Sequence, residues 1–426
     1  MPTYDLDLLV RNARQLLTLA GPPGPRRGAS MGDLALVEDG AVAVRGEEIV
    51  WVGPSAHLPA WSARETLDAS GRVVLPGFVD AHTHLVWAGD RAAEFEMRLQ
   101  GATYLEIMAA GGGIMHTVEA TRASDSAQLA AESLPRLRQM LAHGTTTAET
   151  KTGYGLRTAD ELKQLQVIRQ LACQQPVELI PTFLGAHLVP AEWRDDPNGY
   201  VDLLVGEMLP AVRRWWQAEA AGERLFCDAF CDEGAFDLAQ TRRILESAHG
   251  LGLGLKLHVD EFRALGATAL GVEMGAVSVD HLVCTPPDEL AALARSATVG
   301  VTLPGTTFGL AHADYTPARP FIQAGGALAL GTDLNPGTCW CPSMPFLIAL
   351  ACRYVRLSPA EAICAATINA AYASGCGERV GSLQPGKQAD LLLLDLPSYR
   401  DLPYRFGANP VQAVVKRGRV VVGSGG

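Results

Sequence analysis

No stretch of 18 apolar residues occurs anywhere in the 426-residue chain, so nothing in it reads as a membrane-spanning helix. No basic run exceeds Arg26–Arg27, and 35 Lys+Arg against 46 Asp+Glu leave a formal charge of −11. The dense cationic surface that replaces phosphate counterions is therefore missing, which argues against nucleic-acid binding and against a membrane-surface patch. The opening MPTYDLDLLV carries two aspartates where a secretion signal wants positive charge, and the expected location is cytoplasmic. No CxxC is followed by a second CxxC. The nine cysteines are irregularly scattered, and Cys227/Cys231 and Cys339/Cys341 lack zinc-ribbon spacing, so the thiols are expected as buried hydrophobes. No GxGxxG follows the first strand-like run, and the triplet Gly111–Gly113 precedes no strong helical pattern, so neither a dinucleotide fold nor a phosphate cradle is expected. What is present is globular composition, 48% hydrophobic and 19% charged, with length enough for a large core.

Two kinds of patterning divide the chain. Short Val/Leu runs broken by Gly-Glu turns occupy 5–20 and 34–53, with the Pro/Gly loop GPPGPRRG between them, and the same texture returns at 389–396 and 411–422. A small β-sandwich domain built from both termini, 1–69 and 377–426, is the expectation. From 70 to 376 eight apolar runs alternate with Ala/Leu/Arg-rich helical stretches such as 125–143, 159–174, 237–250 and 286–295. Eight β/α units predict an α/β chain with a (β/α)8 TIM barrel, an open doubly wound sheet being the alternative. Polar clusters close nearly every run (HTH, TKTGYG, GAH, HVDE, DHL, PGTTF, TDLNPG), and in a barrel that end is where chemistry is placed.

His82 and His84 are two apart at the end of the first run, where alternate side chains point the same way. His258 ends the fifth run and Asp333 the eighth. Three imidazoles and one carboxylate make a site for zinc or another first-row divalent ion, with a position left for water.

With these residues in place the chain resembles the metal-dependent amidohydrolase superfamily, and within it a branch that hydrolyses a cyclic amide. The stretches that carry the resemblance are DAHTHLVWAGDR, AGGGIMHTVEATR, GTTTAETKTGYGL, PTFLGAHLVP, LKLHVDEF, SVDHL, LPGTTF and GTDLNPGT, in order across 80–338. The resemblance implies metal ligands at His82, His84, His258 and Asp333, and one divalent ion, Zn2+ or Fe, because the fourth run has no lysine to bridge a second. Lys151, after the second strand, is not expected to bridge. Substrate contacts are implied at Arg91, Tyr104, Tyr154, His187, Glu261, Asn335, Gly337 and Thr338. Thr338 stands where the family pattern has serine and keeps the hydroxyl. A small anionic substrate and a homodimer are also implied.

The residue chemistry is compatible with such a reaction. Asp333 can take a proton from water and pass it to a departing nitrogen. Glu261 can hydrogen-bond a ring N–H, and His281, in the sixth run, the carbonyl oxygen or the water. Arg91 offers a planar fork for a carboxylate tail. His57, His143, His249 and His312 lie outside the strand-end motifs, and His116 is left aside. A deaminase of a purine- or pyrimidine-like ring also suits His258, Glu261 and His281; a catalytically dead barrel would have lost ligands that stand here.

Overall fold

The computed structural model describes residues 4–102, 106 and 112–423. Its first strands are β1 (Leu6–Leu17), β2 (Leu36–Arg45), β3 (Glu48–Pro54), β4 (Ala63–Asp68) and β5 (Val73–Pro76). Eight parallel strands follow. The first four are β6 (Phe78–Asp80), β7 (Thr145–Lys151), β8 (Glu178–Ala186) and β9 (Phe226–Cys231). The others are β10 (Gly254–Val259), β11 (Ser278–His281), β12 (Val299–Thr302) and β13 (Leu328–Leu330). The last strands are β14 (Leu391–Leu394), β15 (Val411–Lys416) and β16 (Arg419–Val422).

Strands β6 to β13 pair in sequence order. The circle closes just beyond the strand ends, where Thr83 bridges Leu334 in parallel and the His84 N–H donates to the Leu334 carbonyl at 2.9 Å. Asp80 completes the seam by accepting from the Thr332 N–H at 2.9 Å and its hydroxyl at 2.6 Å. Each of the eight apolar runs supplies one barrel strand. The helical stretches become α-helices, among them α1 (Ala92–Leu99), α2 (Ile114–Ala123), α3 (Ser126–Ala142), α4 (Thr158–Gln174), α5 (Leu238–Gly250), α6 (Pro287–Arg295) and the short α7 (Pro304–Gly309). Their starts are chemically marked: Asp125 accepts from the Gln128 N–H, and Asp237 and Gln240 form a reciprocal capping box. One expectation fails here. Helix α2 does follow the glycine triplet, and the Gly113 N–H at its start is spent on Glu94 at 2.8 Å.

The remaining strands form one mixed sheet, ordered β16-β15-β14-β5-β1-β2-β3 with β4 beside β1. Its side chains Leu8, Val10, Val42, Val44, Val74, Leu391, Leu393 and Val415 gather in one buried cluster. The run 72–84 is shared between the two sheets. Val73–Pro76 serves the terminal sheet, Phe78–Asp80 the barrel, and Gly77 is the joint. A Cβ at Gly77 would lie 2.2 Å from the Thr146 hydroxyl, so only glycine passes there. Strands β5 and β14 are apolar on both faces for a physical reason: Val74, Leu391 and Leu393 face the small core, whereas Val73, Leu75, Leu392 and Leu394 join the barrel core. Each such buried side chain contributes about 1.5–3 kcal/mol, so the two units are joined by apolar burial.

Candidate metal centre and active site

His82, His84, His258 and Asp333 come from opposite sides of the barrel and meet at its mouth, all of them buried. The Nε2 atoms of His82 and His258 each lie 3.3 Å from that of His84. Asp333 Oδ1 stands 3.5 Å from Nε2 of both His82 and His84. The outer ring nitrogens decide the tautomers. His82 Nδ1–H donates to Asp280 at 2.6 Å, and His258 Nδ1–H donates to Asp228 at 3.1 Å. Their Nε2 lone pairs are thereby turned inward, and burial holds His82 and His84 well below the ordinary imidazole pKa, as neutral rings. The three histidines form a group that could hold a divalent cation, and Asp333, 3.5 Å from two of them, could add a fourth ligand.

Around this centre stand the other expected residues. Asp333 adopts a left-handed backbone at φ 52°, which aims its carboxylate back into the barrel. Burial lifts its pKa to about 6, while the Thr306 hydroxyl, from α7, donates to Oδ2 and favours the charge. Glu261 is raised well above the ordinary carboxyl range, first by burial and then by Asp333. His281 Nε2 lies 3.6 Å from the Glu261 carboxyl. His187 stacks on His84 at 4.9 Å; its Nδ1–H donates to the Gly153 carbonyl at 3.0 Å, leaving Nε2 as an acceptor. Burial depresses its pKa to about 3. Tyr154 is buried, 5.9 Å from the His84 ring. Tyr104 lies outside the described residues.

Arg91 caps α1 and is gripped by Glu94, which accepts from Nε at 2.8 Å and Nη2 at 2.5 Å. One edge of the guanidinium fork is therefore already filled, and the Nη1 end faces the Asn335–Thr338 loop. A Cβ at Gly337 would sit 2.2 Å from Arg91 Nη1, so glycine is what lets the guanidinium lie against that loop. Asn335 spends its amide inside the loop: Nδ2 donates to the Asp333 carbonyl at 2.7 Å, and Oδ1 accepts from the N–H groups of Gly337 and Thr338, both at 2.8 Å. Its geometry is that of a brace for Asp333, Gly337 and Thr338.

Several roles at this site were missed in the sequence, including that of Lys151, which ends β7 rather than following it. Lys151 is fully buried and lies 2.7 Å from Glu149, 2.8 Å from Asp228 and 3.8 Å from Asp280. Asp232 accepts from three successive N–H groups, those of Glu261, Phe262 and Arg263, at 2.8, 3.0 and 2.9 Å, and so fixes the turn that presents Glu261. For Lys151, Glu149, Asp228 and Asp280 the available signal was a charged residue within a strand run, as in TTTAETK, FCDAFC and SVDH. All nine cysteines are free, as expected, but only five are buried: Cys173 and Cys284 are exposed and Cys341 and Cys352 half-buried; Cys339 Sγ is spent on the Thr332 carbonyl at 3.2 Å. Among the described residues no helix is long and apolar enough to cross a membrane.

The family profile of the amidohydrolases matches residues 73–421. The chain is 57% identical over 416 residues to an imidazolonepropionase of Herpetosiphon aurantiacus, covering 97% of each protein. It is 50% identical to that of Symbiobacterium thermophilum, over 99% of this chain and 98% of the relative. Among solved structures, an adenosine deaminase from Xanthomonas campestris with bound zinc aligns with a TM-score of 0.71 at 22% identity, over 99% of this chain and 94% of the other. Atrazine chlorohydrolase from Arthrobacter aurescens complexed with zinc gives 0.69 at 18%, over 98% and 96%. At such identities these neighbours speak for the fold alone. The full-length matches place it more narrowly: the chain belongs to the amidohydrolase family, in its imidazolonepropionase branch.

Proposed function

We propose that the chain hydrolyses the ring C–N bond of 4-imidazolone-5-propanoate to N-formimidoyl-L-glutamate, with one divalent ion, Zn2+ or Fe, held by His82, His84, His258 and Asp333. The observation that carries this is the convergence of those four side chains at the barrel mouth. An ion at such a site lowers the pKa of a water it ligates to about 7 and polarises a carbonyl.

The protein's own groups supply the rest. Asp333, with a pKa of about 6, is ionised at neutral pH and poised to accept a proton and return it to the leaving nitrogen. Glu261, whose carboxyl pKa burial and Asp333 push upward, faces the edge of the ring with His281 beside it. His187 presents an acceptor nitrogen, which suits a ring N–H. Arg91, held by Glu94 and resting on Gly337, meets the carboxylate through its Nη1 end. The same reading carries a homodimer and a cytoplasmic setting.

The test follows the ultraviolet absorbance of the imidazolone in the presence of the purified chain, with and without chelator. Loss of absorbance that stops on metal removal and returns with zinc or ferrous ion, at about one equivalent per chain, is the expected result. Ammonia release from a purine or pyrimidine instead would move the assignment to a deaminase. Full turnover without metal would overturn the mechanism.

A further inference from the structure

The ammonium of Lys151 lies at the hub of the mouth, and both segments that carry the histidines of the metal centre are linked to it. Three routes leave it. Through Asp280 it reaches His82 Nδ1. Through Asp228, which accepts both the backbone N–H and Nδ1–H of His258 at 3.1 Å, it reaches β10. Through Glu149, which accepts from the Thr83 N–H at 3.3 Å, it reaches the residue between His82 and His84. The Lys151 N–H also donates to the Thr83 carbonyl at 2.9 Å. Among the described residues the Lys151 ammonium is paired with carboxylates and makes no hydrogen bond to the three inward-facing nitrogens.

Without a cation here, three buried carboxylates would face one another in a dry site, where like charges repel strongly and drive one another apart. Such a displacement takes away the acceptor that fixes an imidazole. We propose that Lys151 is a positioning residue for the metal centre: by holding Asp228, Asp280 and Glu149 together, its ammonium keeps the Nδ1–H groups of His82 and His258 directed outward and their lone pairs directed at the ion. The inference rests on the metal centre described above but not on the identity of the substrate.

A competing account predicts the opposite sign. Acting only as a nearby positive charge, Lys151 would repel a divalent cation, and its removal would tighten metal binding. Acting through orientation, its removal weakens binding, as loss of outer-shell partners does by about 10–100-fold. The full chain is stripped with chelator and titrated with Co2+ against a competing chelator, reading both affinity and the visible absorption of the bound ion. Lys151→Met is expected to bind Co2+ about 10–100-fold more weakly than the parent, with bands shifted in position and intensity. Unchanged or tighter binding with parental bands overturns the proposal.

Should Lys151→Met fail to fold, Lys151→Met/Glu149→Gln removes one charge of each sign. The same loss is expected of it; parental affinity and bands would reduce the lysine to a counter-charge for Glu149 and overturn the proposal. An arm free of any variant reads the imidazole tautomers of the metal-free parent by nitrogen NMR. Nδ1–H at His82 and His258 is expected, and Nε2–H at either overturns the inference. Activity on imidazolone enters none of these readings, so they stand or fall separately from the proposed reaction.

Discussion

At the floor of the barrel, Glu178 opens β8 and is met by Arg379 through two nitrogens, by Lys416 at 3.4 Å and by Arg417 at 3.6 Å; Lys416 also reaches Asp390 at 2.7 Å. At the mouth, Lys151 closes β7 among three carboxylates. Both are charge clusters with good partners, the mouth fully buried and the floor half-open through Arg379 and Arg417, yet they end differently. The floor cluster is saturated, each charge turned to an opposite one across the seam between the barrel and the terminal sheet. The mouth cluster passes its order outward to the imidazoles of His82 and His258, and His84 Nδ1 has no hydrogen-bond partner. A buried network that closes on itself is architecture. One that delivers aligned, unspent lone pairs to a single point is prepared for something that is not protein.

That contrast can be broken first at Asp333. Asp333→Asn should lower kcat by about 10^2–10^4-fold while a melting curve stays near that of the parent; a large loss of stability with modest loss of turnover would make the mouth structural as well. Next is Arg91→Ala, which removes a charged hydrogen bond of about 1.5–3 kcal/mol and should raise KM by about 10–100-fold with a smaller change in kcat. Gly337→Ala should act in the same direction but less, by pushing the guanidinium off its loop.

The floor gives the reciprocal result. The guanidinium and ammonium groups around Glu178 outweigh burial and bring its pKa from 4.5 to about 2. Because the folded value is depressed, this contribution is present in full above pH 4.5 and fades as pH falls through 4.5 towards 2. Glu178→Gln should cost about 1–3 kcal/mol at pH 7, screened by the half-exposed arginines, with KM and kcat unaltered. Thermal melts of the two proteins should converge at low pH. The smallest effect belongs to Arg263→Ala: its pair with Glu233 at 3.2 Å is exposed on both sides, and removal should change stability by less than about 0.5 kcal/mol.

The eight strands were legible because parallel strands covered on both faces read as continuous apolar runs. His82, His84, His258 and Asp333 were legible because a barrel puts strand-end residues in one place. Lys151, Asp228 and Asp280 were not, since their meaning lies in register: Asp280 is the cross-strand neighbour of His258, and a lone sequence does not display which strand lies beside which. Glu94 was hidden for a different reason. On a surface helix an acid three residues after an arginine is ordinary, and only the tertiary contact with Gly113 shows it to be buried and engaged.

The pairing of β5 with β14, Val73 opposite Leu394 and Pro76 opposite Leu391, also governs how the chain must be made. During synthesis β5 leaves the ribosome with β1 available on one side and an open apolar edge on the other, and the strand that covers that edge emerges only after the whole barrel has been translated. Unprotected edges recruit other chains. The hazardous interval for this protein is therefore its own translation, and a chain halted before residue 391 should be held by chaperones or lost to aggregates rather than released as a working barrel.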